Sequence, residues 1–402
     1  MIELFGLGFG VFAITTVYPY IIETFPDWSR TTVFAPTSVV IITTGALAPL
    51  TGAFLDRYSI RLLFVAGIVT QSVALLLFAR VTTPTGYLLV AVLLGIGLSG
   101  VTILPNQVLV SRWFHTRVGL VNGIVLAATA LGGALAPALV TRLIEATDWR
   151  TAFTVLAGLA FLPPLLVVLF VVRDRPATMG LEPYGTASGD APSSGLALRE
   201  AARTRAFWAL GVAMFLGGMP CYSYNKHILV SLRELGYGAI EAADLKSFFF
   251  VVSACSRLSF GWLCDRFDRW RMLVIHLAFV AVGYPLLLLV PTRPELLVPC
   301  LLLMGIGYGG LLPSIPILGV HYFGRAHLGK ILGVYKIPYD VAASVAPLFT
   351  AWLYDVYGTY AVPEMWNTAF AWIGLAVATF ALAGTPAHVD ARGAAPAIGE
   401  RV

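Results

Sequence analysis

Residues 52–61 read GAFLDRYSIR, and residues 261–271 read GWLCDRFDRWR. In each, an apolar run opened by a glycine (Gly52, Gly261) ends in an Asp-Arg pair, Asp56–Arg57 and Asp265–Arg266. The two stretches stand 209 residues apart. An offset one residue longer places GIGLSG (95–100) on GIGYGG (305–310), and Gly119, Gly123 and Pro137 on Gly329, Gly333 and Pro347. WRTAF (149–153) is echoed by WNTAF (366–370). Matches this numerous, most of them in register, mark a chain built as two copies of one unit.

The medium of that unit follows from composition. Of 402 residues, 58% are hydrophobic and 12% charged, where a soluble protein carries about a quarter charged. The mean hydropathy is +0.84. This is an integral membrane protein whose first partner is the lipid bilayer. The pI near 9.0 does not indicate nucleic acid, because the 26 Lys and Arg lie in short clusters between apolar segments, as membrane topology requires. The four cysteines show no CxxC spacing, so neither a disulfide framework nor a metal site is expected, and no cofactor is called for. The first segment, MIELFGLGFGVFAITTVYPYIIETF, has no basic n-region and no small-residue cleavage site. It starts almost inside its first span, which suggests a native start upstream.

A helix needs about 20 apolar residues to cross the hydrocarbon core. Such segments run over 2–22, 32–55, 62–80, 85–109, 118–141 and 152–172, and again over 207–230, 243–263, 272–291, 295–319, 328–353 and 366–384. Between the two sets of six lies a Gly-, Pro-, Ser- and charge-rich stretch that reads as a flexible linker. The expected organisation is a six-helix bundle at 1–172, a linker at 173–206, a second six-helix bundle at 207–384 and a tail at 385–402. With a cytoplasmic N-terminus, 16 Lys and Arg fall in inner loops and 7, Lys246 among them, in outer loops. The excess of inner positive charge places both termini in the cytoplasm, and the expected location is the plasma (inner) membrane. Two parallel six-helix repeats imply a central site and alternating access by rocking. No Walker motif is present, so transport would be secondary, and the chain is not expected to be an enzyme.

The pattern G-x-x-x-D-R-x-x-x-R at 52–61, with twelve spans, a central linker and a degenerate second copy after span eight, resembles the signature of the major facilitator superfamily. WFHTRVGLVNGIVLAATALG (113–132) is similar to a motif of the monocarboxylate transporters and their oxalate–formate antiporter relatives; Phe114, Arg117, Leu120, Gly123, Ala127 and Gly132 fit. The acidic-Gly-Gly-Trp element that many of those relatives carry before span one is missing. The resemblance implies the major facilitator fold and transport of small carboxylates, by proton symport or anion exchange. Asp56 is expected to pair with Arg57, Arg61 or Arg117 and cap a neighbouring helix. Asp265 and Arg266 would do the same in the second half, shutting the inner side. The alternative is a solvated loop whose charges only set topology.

Three cations lie inside spans. A charge in mid-membrane costs at least ~2.5–3.5 kcal/mol on insertion scales, so such residues usually face a cavity and act there. Arg257 lies eight residues before Asp265, and Lys336 six beyond Lys330, which is roughly 12 and 9 Å of helix rise. Asp340 follows Lys336 by one turn on the same face. The first-half counterparts, Ala48 and Leu126, are neutral. A planar guanidinium binds two carboxylate oxygens together, which makes Arg257 the expected substrate contact, with Lys336 as second cation oriented by Asp340. The resemblance agrees: relatives carry an Arg in span eight at this position and, in the oxalate antiporters, a Lys in span eleven. Many of the monocarboxylate carriers also carry an acid four residues before that Arg, where this chain has Ser253. The alternative is an Arg257–Asp340 pair that locks the second bundle. Lys226 and His227 in CYSYNKHILV lie near the outer end of span seven, where a lysine can snorkel; with Asn225 and Tyr18 they are candidate lining residues. A carrier of drug-like cations or neutral solutes would instead call for an unpaired acid in the first-half spans, where only Glu3 stands.

Overall fold

The computed structural model of the chain describes residues 2–114, 118–185, 195–324 and 328–383. A π-helical turn, Leu4–Gly8, leads into α1 (Phe9–Thr24), followed by α2 (Arg30–Arg57), α3 (Ile60–Phe78), α4 (Pro84–Ser99) and α5 (Ile103–Trp113). Then come α6 (Val118–Ala146), α7 (Trp149–Phe170) and the single turn α8 (Leu198–Ala201). The second half holds α9 (Arg205–Glu234), α10 (Ala239–Arg266), α11 (Arg269–Leu289), α12 (Leu297–Phe323), α13 (Leu328–Tyr357) and α14 (Ala361–Leu382). Ten stretches, with α4 and α5 taken as one, are long and apolar enough to cross a membrane. With α6 and α13, of 29 and 30 residues, the described helices supply the twelve spans expected from the sequence.

The helix starts follow capping chemistry. Ser29, Ser59 and Thr83 accept from backbone N–H groups at the heads of α2, α3 and α4, and Asp148 and Asp268 do so for α7 and α11, satisfying donors that a first turn leaves orphaned. Two departures from the expected spans have local causes. The fourth span is broken between Ser99 and Ile103, where the Asn106 amide donates to the Val101 and Thr102 carbonyls at 2.9 Å each. The first opens as a π-turn, and the Gln71 amide of α3 donates to the Phe5 and Gly6 carbonyls at 3.1 Å. Wide turns of this kind recur at functional sites.

Within the described residues the chain forms two compact units. One is drawn from Met1–Ser188, Ser223–Ala254 and Ala343–Pro363; the other from Gly189–Tyr222, Cys255–Ala342 and Glu364–Val402. The first therefore holds the whole first half together with the segments of α9, α10 and α13 that run furthest from the linker. In this unit Gly8 and Gly132 bring the backbones of the π-turn and α6 together, and Gly97 and Gly100 lie against Gly67 and the Leu63 carbonyl of α3. In the second unit Gly307 and Gly310 of α12 lie against Val280 and His276 of α11. The repeated glycines thus make the same crossing twice, the fourth helix of each half on the third. Small residues allow such close approach in lipid, where no hydrophobic force drives helices together.

Candidate functional site

In the second unit, Arg257 on α10 is half-buried, and its guanidinium carbon lies 5.5 Å from the centre of the Tyr308 ring on α12. The Tyr308 ring stands perpendicular to Tyr222 of α9 at 6.2 Å, and Tyr222 packs edge-on to Tyr339 of α13 at 5.1 Å. Asp340 follows Tyr339 on α13. Arg257 and the three tyrosines, drawn from four helices, therefore form one chain of contacts. The Nε of Arg257 is buried without a partner, and the residue makes no ion pair with a carboxylate among the described residues. The alternative of an Arg257–Asp340 ion pair is not formed among the described residues. Neighbouring Ser256 anchors this turn by donating to the Ile306 carbonyl at 2.7 Å, with the His276 ring at 3.3 Å. The Lys336 side chain lies outside the described residues.

The first unit holds two buried lysines, one of which the sequence had counted in a loop. Lys246, counted among the outer-loop charges, is fully buried and donates to the Thr15 hydroxyl at 2.9 Å. Lys226, a candidate lining residue near the outer end of span seven, is 3% exposed, with its ammonium 5.7 Å from the centre of the Phe12 ring. Hydropathy reading missed Lys246 because it lies only seven residues into α10, where a charge ordinarily marks a helix end. The signal that could have found it is its neighbourhood, KSFFFVVS at 246–253, apolar immediately after the charge.

Around these lysines the end of the unit furthest from the linker is tied shut. Arg30 pairs with Glu234, Arg142 with Asp244 and Arg233 with Glu23. Asp355 of α13 accepts from the Arg30 and Thr31 N–H groups at 2.7 and 2.9 Å, capping α2 where the helix dipole favours an anion. Ser38 donates to the Ser344 carbonyl at 2.6 Å. Tyr18 is buried and donates to Thr37 at 3.1 Å, and Asn225 is buried nearby in sequence. His227 stacks on Phe34 at 3.6 Å, with Nε2 3.0 Å from the Pro347 carbonyl and Nδ1 3.0 Å from the Tyr360 hydroxyl. A carbonyl only accepts, so Nε2 carries the proton and both ring nitrogens are engaged. A surface groove of about 730 Å³ lies beside this end, lined by Glu145, Glu241 and Asp244 among others; its acids disfavour an anion.

The loop residues at the linker end are partly described. Gly52 has open space around it, and Arg57 is exposed in the last turn of α2. Arg61 donates to the Leu169 carbonyl at 2.8 Å, and its N–H reaches Asp174 at 3.2 Å, tying the α2–α3 loop to the end of α7. Arg266 lies over the Trp262 ring at 4.1 Å. Arg117 and the side chains of Asp56, Gly261 and Asp265 fall outside the described residues, as do linker residues 186–194 and the tail from 384.

Comparison with known proteins gives this geometry its family. The sequence matches the Major Facilitator Superfamily profile over residues 2–243 and 228–398. It is 26% identical over 372 residues to monocarboxylate transporter 12-B of Danio rerio, covering 86% of this chain and 78% of that protein. It is 23% identical to the fujikurins efflux protein of Gibberella fujikuroi, with 81% and 68% covered. Among solved structures, a bacterial homologue of the human lysosomal transporter Spinster, inward-facing and occupied, superposes with a TM-score of 0.76 at 15% identity, over 94% of each chain. The nucleoside transporter NupG does so at 0.73 and 14%, over 94% of this chain and 98% of that one. Twelve spans in two repeats, the matched profile across both halves and these relatives lead to one conclusion: the chain belongs to the major facilitator superfamily, a family of membrane transporters and not of enzymes.

Proposed function

We propose that the chain carries small organic anions, mono- or dicarboxylates, across the plasma membrane by alternating access, coupled to a proton or to exchange of a second anion. The observation that carries this reading is Arg257: a permanent cation inside a span, partly desolvated, with a buried Nε and no carboxylate against it among the described residues. Such a group seeks an anion, and the tyrosines beside it offer hydroxyls and ring faces to an organic one. Lys336 supplies a second positive charge on α13, and Asp340 sets the net charge of the site. The monocarboxylate transporter relatives support the same substrate class. In this reading the six-helix halves, 1–172 and 207–384, rock about the site, both termini are cytoplasmic, and Asp56, Arg57, Arg61 and Arg117, with Asp265 and Arg266, hold the inner side shut beside Gly52 and Gly261.

One observation favours a second reading, an exporter of drug-like cations or neutral solutes. Glu3 is 2% exposed, with both carboxylate oxygens unpartnered among the described residues, and one relative is an efflux protein. Counterflow in proteoliposomes separates the two. The carboxylate reading predicts exchange of labelled pyruvate or oxalate about tenfold or more above protein-free liposomes, with no exchange of tetraphenylphosphonium. Exchange of the cation alone, lost on Glu3→Gln, would replace it with the second reading.

A further inference from the structure

Lys226 and Lys246 are both buried in the first unit, and neither is used by the Arg257 site. The three ion pairs among the described residues employ Arg30, Arg142 and Arg233, so no described carboxylate neutralises either lysine. Lys246 reaches Thr15 of α1 and Lys226 lies over the ring of Phe12, three residues earlier on the same helix, so the two side chains come to adjacent positions along α1. Two like charges out of water are costly unless something negative joins them. The groups around them are arranged for such a guest.

On α10, Lys246, Phe250 and Ser253 succeed one another at spacings of four and three residues, which puts them on one face. The Ser253 hydroxyl is fully buried and has no partner. Phe250 meets α6 at Gly133, where an added Cβ would come within 2.7 Å of its ring, and it stands edge-on to Phe12 of α1 at 4.7 Å. Thr129 lies one turn before Gly133 on α6, and its hydroxyl is likewise buried and unpartnered. The helices run antiparallel, so Thr129 and Ser253 both lie one turn towards the linker from the contact of Gly133 with Phe250. An ammonium has three donors, and Lys246 is seen to use one, on Thr15. The two lysines and the buried Ser253 and Thr129 hydroxyls thus keep donors unused, and no described carboxylate pairs with either lysine.

We propose that Lys226 and Lys246, with Ser253 and Thr129, form a second anion site that takes a small carboxylate independently of Arg257. The choice of carboxylate over other oxyanions rests on the function proposed above; the existence of the site does not. It gives the transporter a place to hold an anion within its first unit, built from α1, α6, α9 and α10.

Thermal stability of the purified full-length protein, with and without saturating pyruvate or oxalate, tests the proposal. The response of the unmodified protein reports on carboxylate binding in general. The response that survives in Arg257→Gln reports on the second site. The expected result is a residual ligand-induced rise in Tm in Arg257→Gln, lost when Lys226→Met and Lys246→Met are added. Those added changes should also raise the ligand-free Tm, because they remove uncompensated buried charge. Lys246→Arg, which keeps the charge, should retain the residual response with affinity changed by about tenfold or less. If Arg257→Gln abolishes every carboxylate response while the lysine variant keeps it, the second site is excluded and the function stands. A lysine variant that is less stable without ligand assigns the pair a structural role and overturns the proposal. Absence of any response in the unmodified protein removes both readings.

Discussion

At Arg257 the chain keeps a guanidinium where an apolar side chain would be cheaper by a few kcal/mol. The ring against that group is Tyr308, which adjoins Tyr222 and, through it, Tyr339. Asp340 directly follows Tyr339 of this wall on α13. Replacing it with asparagine makes the site one charge more positive. The expected outcome for Asp340→Asn is a shift of about tenfold in the ratio of oxalate to pyruvate transport, towards the dicarboxylate. Parallel uptake of both labelled substrates checks this, and an unchanged ratio at all pH values would remove Asp340 from substrate selection. The prominence of Arg257 was legible in the sequence, since a lone Arg inside an apolar run has few cheap explanations. The tyrosine wall was not, because its members come from three helices and tyrosines are common in membrane spans. Lys246 was misread because its distance from a helix end fits a cap as well as a core position.

Among the elements, the glycine stripes show how a repeated sequence becomes a repeated contact. Gly97 and Gly100 meet α3, and Gly307 and Gly310 meet α11; in each pair a side chain would occupy space already filled by the partner helix. Gly310→Ala would drive a methyl group into the His276 ring. Overpacking of this kind typically costs ~1–3 kcal/mol. Gly158, on α7, has nothing within 4 Å of an added Cβ, and Gly158→Ala should be neutral or slightly stabilising, as a helix interior prefers alanine. Thermal unfolding of the two purified variants distinguishes them; equal stabilities would mean that the crossings are looser than described. These stripes were legible because both copies lie in register. The break at Gly100–Thr102 was not, because Asn106 holds it by bonds that hydropathy does not register. The π-turn at Leu4–Gly8 escaped for the same reason, since it depends on Gln71 some 65 residues away.

For the molecule as a whole, the twelve spans and the two-fold repeat were readable from hydropathy and offset matches. The clasp at the end furthest from the linker was not. Its partners, Arg30 with Glu234, Arg142 with Asp244 and Asp355 on the head of α2, are separated by 100 to more than 300 residues, and no local pattern announces them. They hold that end of the first unit together; in the second unit Arg257 keeps an unpartnered nitrogen. The account depends most on the claim that this guanidinium binds the transported anion. The direct measurement is counterflow of labelled pyruvate and oxalate in proteoliposomes holding equal amounts of folded protein with arginine, lysine or glutamine at position 257. The prediction is a loss of roughly 30-fold or more for Arg257→Gln, where the charge is gone, and a partial loss for Arg257→Lys, which keeps charge without the planar fork. Undiminished exchange by Arg257→Gln would contradict the account.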